Sequence, residues 1–270
     1  MVNKLSDIVD KINEGKPLSI VRMGNVEAQQ MLSESLHEQL KTNAGFFGND
    51  EDLKKWKSKY LKSLLSADCN LRVISCPSFV VCDLVLTKLN LYVPTLPYME
   101  KIEFWWGFIN NIKTNKIGFV SYFKKDIERQ VSKLPWIFPK KKDKVWSNKN
   151  TNDWKFIYSE NTIEGNEPKD KSWFDVFDDL VKRTLKEDCD IYFISCGCYG
   201  LPLCDELKKA GKQAIYIGGI LQLLFGLKGK RWDNRENINC YYNKYWTYPQ
   251  TKPKNFIRIE NGCYWGHEEK

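Results

Sequence analysis

Short apolar runs alternate with longer amphipathic stretches along most of the chain. Ile8 to Ile12 has the spacing of an amphipathic helix. Pro17-Leu18-Ser19-Ile20-Val21-Arg22 reads as a buried strand that ends at Gly24-Asn25, and Glu27 to His37 reads as a helix. Lys54 to Leu65 has helical spacing, Leu71 to Ser75 reads as a second strand and Ile117 to Ser121 as a third, followed by a helix through Gln130. Trp154 to Tyr158 is a further strand and Trp173 to Leu185 a helix. Then come strand Asp190 to Ser195, helix Leu201 to Ala210 and strand Gln213 to Ile217. Strands that alternate with helices need crossovers. The expected fold is therefore α/β, a Rossmann-like, mainly parallel sheet with helices on both faces. Beyond Asp233 the chain is aromatic-rich and irregular and is expected to wrap back over the sheet.

No internal repeat is visible, and residues 1–270 read as one domain. Pro139 to Asp153, polar and rich in Lys and Asn, is the best candidate for a mobile loop. No run of about 18 apolar residues exists, so no membrane span is expected, and the N-terminus lacks an apolar signal region. The nine cysteines are an odd number, and several sit inside apolar runs. They read as buried free thiols of a reducing, cytoplasmic compartment. Cys196-Gly197-Cys198 has one intervening residue rather than two, and His37 and His267 are the only histidines. Neither a zinc knuckle nor a Ser-His-Asp triad has material to work with.

The formal charge of +8 suits an anionic partner. Its densest run, Pro139-Lys140-Lys141-Lys142 with Lys144, reads as a solvated loop. No recognition-helix, RRM or KH pattern accompanies it, so no nucleic acid is expected. Sharper signals sit at strand ends. Ser195-Cys196-Gly197-Cys198-Tyr199-Gly200-Leu201-Pro202 takes a buried strand through a glycine-rich turn into a helix, with Pro202 at home in the first helical turn. Glycines there let a ligand approach the backbone, and the helix start offers N–H groups to an anion; tight helix–sheet packing is the other use of the same glycines. The next strand ends in Gly218-Gly219, followed by Gln222 and by Lys228-Gly229-Lys230-Arg231-Trp232-Asp233. Lys228, Lys230 and Arg231 could neutralise a diphosphate while Trp232 stacks on a base or sugar; a basic surface loop is the alternative. Arg22-Met23-Gly24-Asn25-Val26-Glu27 lies at the end of the first strand. Glu27 is either a general base or a charge that complements the helix dipole. Phe46 and Phe47 in Asn43-Ala44-Gly45-Phe46-Phe47, and Trp246 in Asn243-Lys244-Tyr245-Trp246, are core aromatics or platforms for an acceptor sugar.

Taken together, Arg-x-Gly-Asn-x-Glu, Asn-Ala-Gly-Phe-Phe, Cys-Gly-x-Tyr-Gly-Leu-Pro-Leu, Gly-Gly-x-x-Gln-Leu-Leu-Phe-Gly-x-Lys-Gly-Lys-Arg-Trp-Asp, Asn-x-Tyr-Trp and Gly-Cys-Tyr-Trp resemble a bacterial and large-virus branch related to the GT-D-fold glycosyltransferases. The resemblance runs from about Ile20 to Trp265. It implies a GT-D-like fold and transfer of a sugar from a nucleotide-diphosphate donor to a hydroxyl of a glycan. A UDP-sugar is favoured as donor, for example a pentose such as xylose or a deoxyhexose. The family's Asp-x-Glu motif engages a divalent metal and the donor; here it reads Asn25-Val26-Glu27. Glu27 carries over; as a single base with no second nucleophilic carboxylate nearby in the sequence reading, it is expected to take the acceptor proton in an inverting displacement. Asn25 does not carry over as a metal ligand, because an amide is a poor substitute for a carboxylate, so metal dependence stays open and no metal residue is assigned. The resemblance places Arg22, Gly24, Asn25, Gly197, Tyr199, Gly200, Gly218, Gly219, Gln222, Lys228, Lys230, Arg231 and Trp232 around the donor, and Phe46, Phe47 and Trp246 around the acceptor. Two other readings remain. One is a Rossmann-type methyltransferase, which would want an acidic residue where the second strand runs into Cys76-Pro77. The other is a non-catalytic nucleotide- or glycan-binding module, which Asn25 would suit.

Overall fold

The computed structural model describes residues 5–35, 38–73, 78–92, 95–98, 102–139, 146 and 149–266. Seven strands form one sheet: β1 (Leu18–Val21), β2 (Cys69–Val73), β3 (Thr95–Tyr98), β4 (Ile117–Ser121), β5 (Lys155–Tyr158), β6 (Ile191–Ser195) and β7 (Gln213–Tyr216). Their spatial order is β3-β2-β1-β7-β6-β4-β5, and all six pairings are parallel. The sheet is thus wholly parallel, where the sequence led us to expect mainly so.

A parallel sheet must be covered on both faces, and the two-residue alternation of its strands shows how. In β6, Ile191 and Phe193 point into one core while Tyr192 and Ile194 point into the other; in β7, Ile215 opposes Ala214 and Tyr216 in the same way. The first core is closed by α1 (Leu5–Asn13), α5 (Ile102–Asn110), α6 (Lys124–Val131), α7 (Leu134–Ile137) and α10 (Ile220–Leu224). The second is closed by α2 (Asn25–Met31), α3 (Asp50–Leu65), α4 (Ser78–Lys88), α8 (Trp173–Leu185) and α9 (Gly200–Lys209). Two short helices, α11 (Lys230–Asp233) and α12 (Glu236–Asn239), precede the irregular C-terminal segment. That segment does fold over the sheet: Trp246, Ile259 and Trp265 are all buried in the first core, beside Trp232 of α11. Asp126, itself buried in α6, fastens it by accepting from the backbone N–H groups of Gln250 (2.8 Å) and Thr251 (3.1 Å).

Several boundaries differ from the sequence reading. Helix α2 stops at Met31. Beyond it Gln30 Nε2 and Ser33 Oγ both donate to the carbonyl of Ser35, which offers the chain a turn in place of another helical residue. The second strand begins at Cys69, two residues earlier than expected, and Ile74 to Pro77 lie outside the described residues. Strand β3 and helices α4 and α5 were not anticipated. β3 is four residues long with a proline, which an edge strand tolerates. The sequences of α4 and α5 are too uniformly apolar to show one face. In the expected loop 139–153, residues 140–145, 147 and 148 lie outside the described residues, while Trp146 is buried and its indole N–H reaches the Leu224 carbonyl at 3.2 Å. The eight described cysteines are free, and six are buried. Among the described residues no helix is long and apolar enough to cross a membrane.

Candidate functional site

Strand β1 leads into α2 on one face of the sheet, whereas its neighbour β7 leads into α10 on the other. Two adjacent strands whose following helices diverge leave a crevice at their C-terminal ends, where ligands of open α/β sheets bind. A cavity of about 650 Å³ lies there. Its wall brings together the turns after β1 (Arg22 to Glu27), β6 (Ser195 to Gly197) and β7 (Gly218 to Ile220). Tyr122 and Phe123 after β4, and Glu160 to Ile163 after β5, form its far side. Arg231, Trp232, Arg235, Glu260 and Tyr264 from the C-terminal segment close it.

Glu27 is 6% exposed. Its carboxylate folds back over Gly24, the residue that caps α2: a methyl group on Gly24 would stand 2.0 Å from Oε2 and 2.5 Å from Cδ. Burial raises the pKa of Glu27 above the ordinary 4.5. A hydrogen bond from its own backbone N–H and the charge of Arg22 oppose that rise, and the charge of Glu260 adds to it. A buried carboxylate with raised basicity in a cleft is the arrangement expected of a proton acceptor. Arg22 runs from the end of β1 across to the turn after β7; a Cβ on Gly218 would lie 2.9 Å from its terminal guanidinium nitrogen. Gly218 has φ +61°, so both its backbone and the Arg22 side chain call for glycine. Arg231 lies over the rings of Trp232 (5.3 Å) and Tyr264 (5.0 Å), two cation–π contacts that keep its guanidinium at the cavity wall. Asn25 presents a side-chain oxygen that is buried without a hydrogen-bond partner. So does Gln222, whose amide N–H groups are committed to the carbonyls of Lys228 (2.6 Å) and Tyr264 (2.8 Å).

Of the residues assigned to a donor, Arg22, Gly24, Asn25, Gly197, Tyr199, Gly218, Gly219, Gln222, Arg231 and Trp232 line this cavity, together with Glu27. Gly200, Lys228 and Lys230 do not. Gly200 makes room for the Tyr216 ring, 2.4 Å from where a Cβ would sit. Lys228 Nζ is drawn over the rings of Tyr242 (5.1 Å) and Tyr248 (5.6 Å). Lys230 is turned toward Gly262, its backbone N–H bonded to the Trp265 carbonyl at 3.0 Å. Only the arginine of the Lys-Gly-Lys-Arg run therefore faces the site. The glycine turn after β6 shows the packing use of its glycines. A Cβ on Gly197, which also lines the cavity, would meet the Ala44 carbonyl at 2.5 Å, so glycine is needed here for the close approach of that backbone. Tyr199 is stacked on Trp173 at 4.8 Å and bonded to Thr162 Oγ1 at 3.0 Å.

The expected acceptor platforms lie elsewhere. Phe46 is fully buried among Trp56 and Trp173, Phe47 packs against the same core, and Trp246 is buried with its indole N–H on the Ile137 carbonyl. Phe46 and Trp246 fill the interior, and Phe47 is half-buried against it, because the segments carrying them, the turn after the π-helical residues Leu40–Ala44 and the C-terminal segment, dock against core faces.

Tyr122, Glu160 and Arg235 were missed by sequence reasoning; Glu260 and Tyr264 lie in or beside the Gly-Cys-Tyr-Trp motif that it singled out, without a role assigned to either. Tyr122 and Glu160 had a usable signal, since they directly follow strands of a parallel sheet. The other three sit in short or irregular segments with no periodicity to read. Among the described residues no three His, Cys, Asp or Glu side chains gather closely enough to hold a metal ion. Glu160 is taken up by Arg183 (2.7 Å) and Glu260 faces Arg231 (3.9 Å). This donor set does not fit a divalent cation.

The chain matches no protein-family model and no curated protein sequence. Two solved structures are similar to it. One is described as a new glycosyltransferase (DUF1792) from Streptococcus sanguinis, 11% identical, with a TM-score of 0.47 over 81% of each chain. The other is described as a domain of unknown function 1792, 14% identical, with a TM-score of 0.46 over 80% of this chain and 77% of that one.

Proposed function

We propose that this protein is a glycosyltransferase that moves a sugar from a nucleotide-diphosphate donor, preferably UDP-linked, to a hydroxyl of a glycan acceptor. The observation that carries the reading is a buried carboxylate of raised basicity, Glu27, sharing one cavity of about 650 Å³ with three arginines, Arg22, Arg231 and Arg235. That volume is of the size that encloses a nucleotide sugar. The motif resemblance points the same way.

In this reading the arginines take the donor diphosphate. Glu27 Oε accepts the proton of the acceptor hydroxyl as its oxygen bonds to the sugar C1. The bond from C1 to the diphosphate oxygen breaks, and its electron pair stays on that oxygen, where the guanidinium charge stabilises it. Of the other carboxylates in the cavity wall, Glu160 is paired with Arg183 and Glu260 faces Arg231, which leaves Glu27 as the one base and favours inversion. The unpartnered oxygens of Asn25 and Gln222 are suited to accept hydrogen bonds from donor hydroxyl or N–H groups.

The test is Glu27→Gln. Donor binding, read by calorimetry, should stay within a few-fold, while transfer falls by about 10²–10⁴-fold, the usual contribution of a general base. A Gln variant that transfers at the wild-type rate removes Glu27 from the reaction. A thermal-shift panel of UDP-, GDP- and dTDP-sugars against S-adenosylmethionine separates this reading from a methyltransferase. Nucleotide binding without transfer or donor hydrolysis would favour a binding module, the reading that an amide at position 25 suits.

A further inference from the structure

Glu260 stands in the cavity wall in a conformation its residue type disfavours. Glu260, Asn261 and Gly262 have φ of +46°, +57° and +67°, three left-handed residues in succession. Asparagine and glycine enter that region readily; a glutamate does not, and persists there only when its surroundings hold it. They do so here. Ile259 on one side and Trp265 on the other are buried to within 1% of completely, and the Gly262 N–H closes the turn on the Ile259 carbonyl at 2.8 Å. The turn delivers the Glu260 carboxylate to Arg231, with Oε2 3.9 Å from a guanidinium nitrogen, and the Cys263 thiol donates to the same oxygen at 3.2 Å. Arg231 meanwhile lies within 5.3 Å of the Trp232 ring centroid and 5.0 Å of the Tyr264 one, so swinging off to another site would cost it both cation–π contacts.

An arginine that is to receive a phosphate therefore already faces a carboxylate, and that carboxylate is at a separation long for an ion pair and is only partly buried. Such a pair is weak and easily exchanged. We propose that Glu260 is a displaceable internal counter-anion: it occupies the position of a phosphate at Arg231 while the cavity is empty, and competes with the ligand's phosphate for the guanidinium. The anion that binds must outdo a carboxylate held in place, which favours a diphosphate over singly charged carboxylate or sulfonate ligands. This inference rests on the proposed donor site insofar as Arg231 is assigned to the donor, but it concerns phosphate affinity rather than transfer.

The test measures binding of inorganic pyrophosphate and of UDP by calorimetry to the wild-type chain, Glu260→Gln, Glu260→Gly and, as a remote charge control, Glu14→Gln. Removing the competitor should tighten both ligands by about two- to fivefold, the range an exposed ion pair is worth, with the gain shrinking as salt rises. Glu14→Gln should change neither. Glu260→Gly removes both the charge and the left-handed glutamate, so it should match the Gln variant in affinity and melt at a higher temperature. Weaker or unchanged binding in Glu260→Gln overturns the proposal, as does failure of pyrophosphate to bind any of the chains. Pyrophosphate tightening without any UDP-sugar turnover would leave this inference standing and count against the transferase reading instead.

Discussion

Gly24→Ala isolates the position of one carboxylate. The backbone of Gly24 has φ −74° and ψ 149°, which alanine adopts without strain, so the substitution adds a methyl group and little else. That methyl would lie 2.0 Å from Glu27 Oε2, 2.5 Å from Cδ and 2.8 Å from Oε1. Ordinary contact requires the carboxylate to retreat by roughly 1.5 Å. It has little room, being 6% exposed and close enough to Tyr60 and Tyr216 that its charge adds to the rise that burial imposes on the pKa of both phenols. Overpacking of this kind costs about 1–3 kcal/mol, and the flexible end of a glutamate yields more easily than a ring, so a loss near the lower figure is expected. The effect on chemistry is larger: misplacing a reacting group by about 1 Å can lower a rate by ~10²-fold, or about 2.7 kcal/mol of activation free energy. Initial rates with labelled UDP-sugar, set beside calorimetric affinity for UDP, give both quantities. We expect a melting point lower by a few degrees, UDP affinity within a few-fold of wild type and transfer reduced by about two orders of magnitude. A Gly24→Ala enzyme as fast as wild type would refute the claim that this glycine sets the position of the base.

Two further outcomes follow from the same contacts. Glu27 holds its proton more tightly folded than unfolded, so it favours the native state below its ordinary 4.5, and that contribution is lost as pH rises through the elevated folded value. Glu27→Gln should therefore melt above wild type at about pH 7.5, with the gain gone near about pH 4; a Gln variant that is less stable at neutral pH would show that the charged form is well satisfied in the fold. Gly200→Ala places a Cβ 2.4 Å from the buried Tyr216 ring and should lower stability in urea by about 1–3 kcal/mol; an unchanged midpoint would mean that the helix start can shift freely.

The sequence determined more of the scaffold than of the site. Strands β4 and β6 and helix α8 stand within a residue of where the pattern places them, because each alternates or repeats with the period of its element. The parallel sheet followed from the order of those elements. So did the gathering of the turns after Val21, Ser195 and Tyr216 on one edge, since parallel strands end on the same side. Periodicity says which face of a regular element is apolar; it says nothing about a glycine's neighbour or about the direction of a side chain in an irregular segment. Only the tertiary structure decided that Gly197 faces Ala44 and Gly200 faces Tyr216, and that Phe46 and Trp246 fill cores. It also decided that Arg231 alone of its basic run turns into the cavity, because the C-terminal segment docks over Lys228 and Lys230. Glu260, Tyr264 and Arg235 arrive from short or irregular segments far along the chain that have no hydrophobic periodicity, although Gly262 to Trp265 carry the Gly-Cys-Tyr-Trp motif. Their positions are set by what the buried Ile259 and Trp265 pack against, a long-range fact that no local stretch of sequence contains.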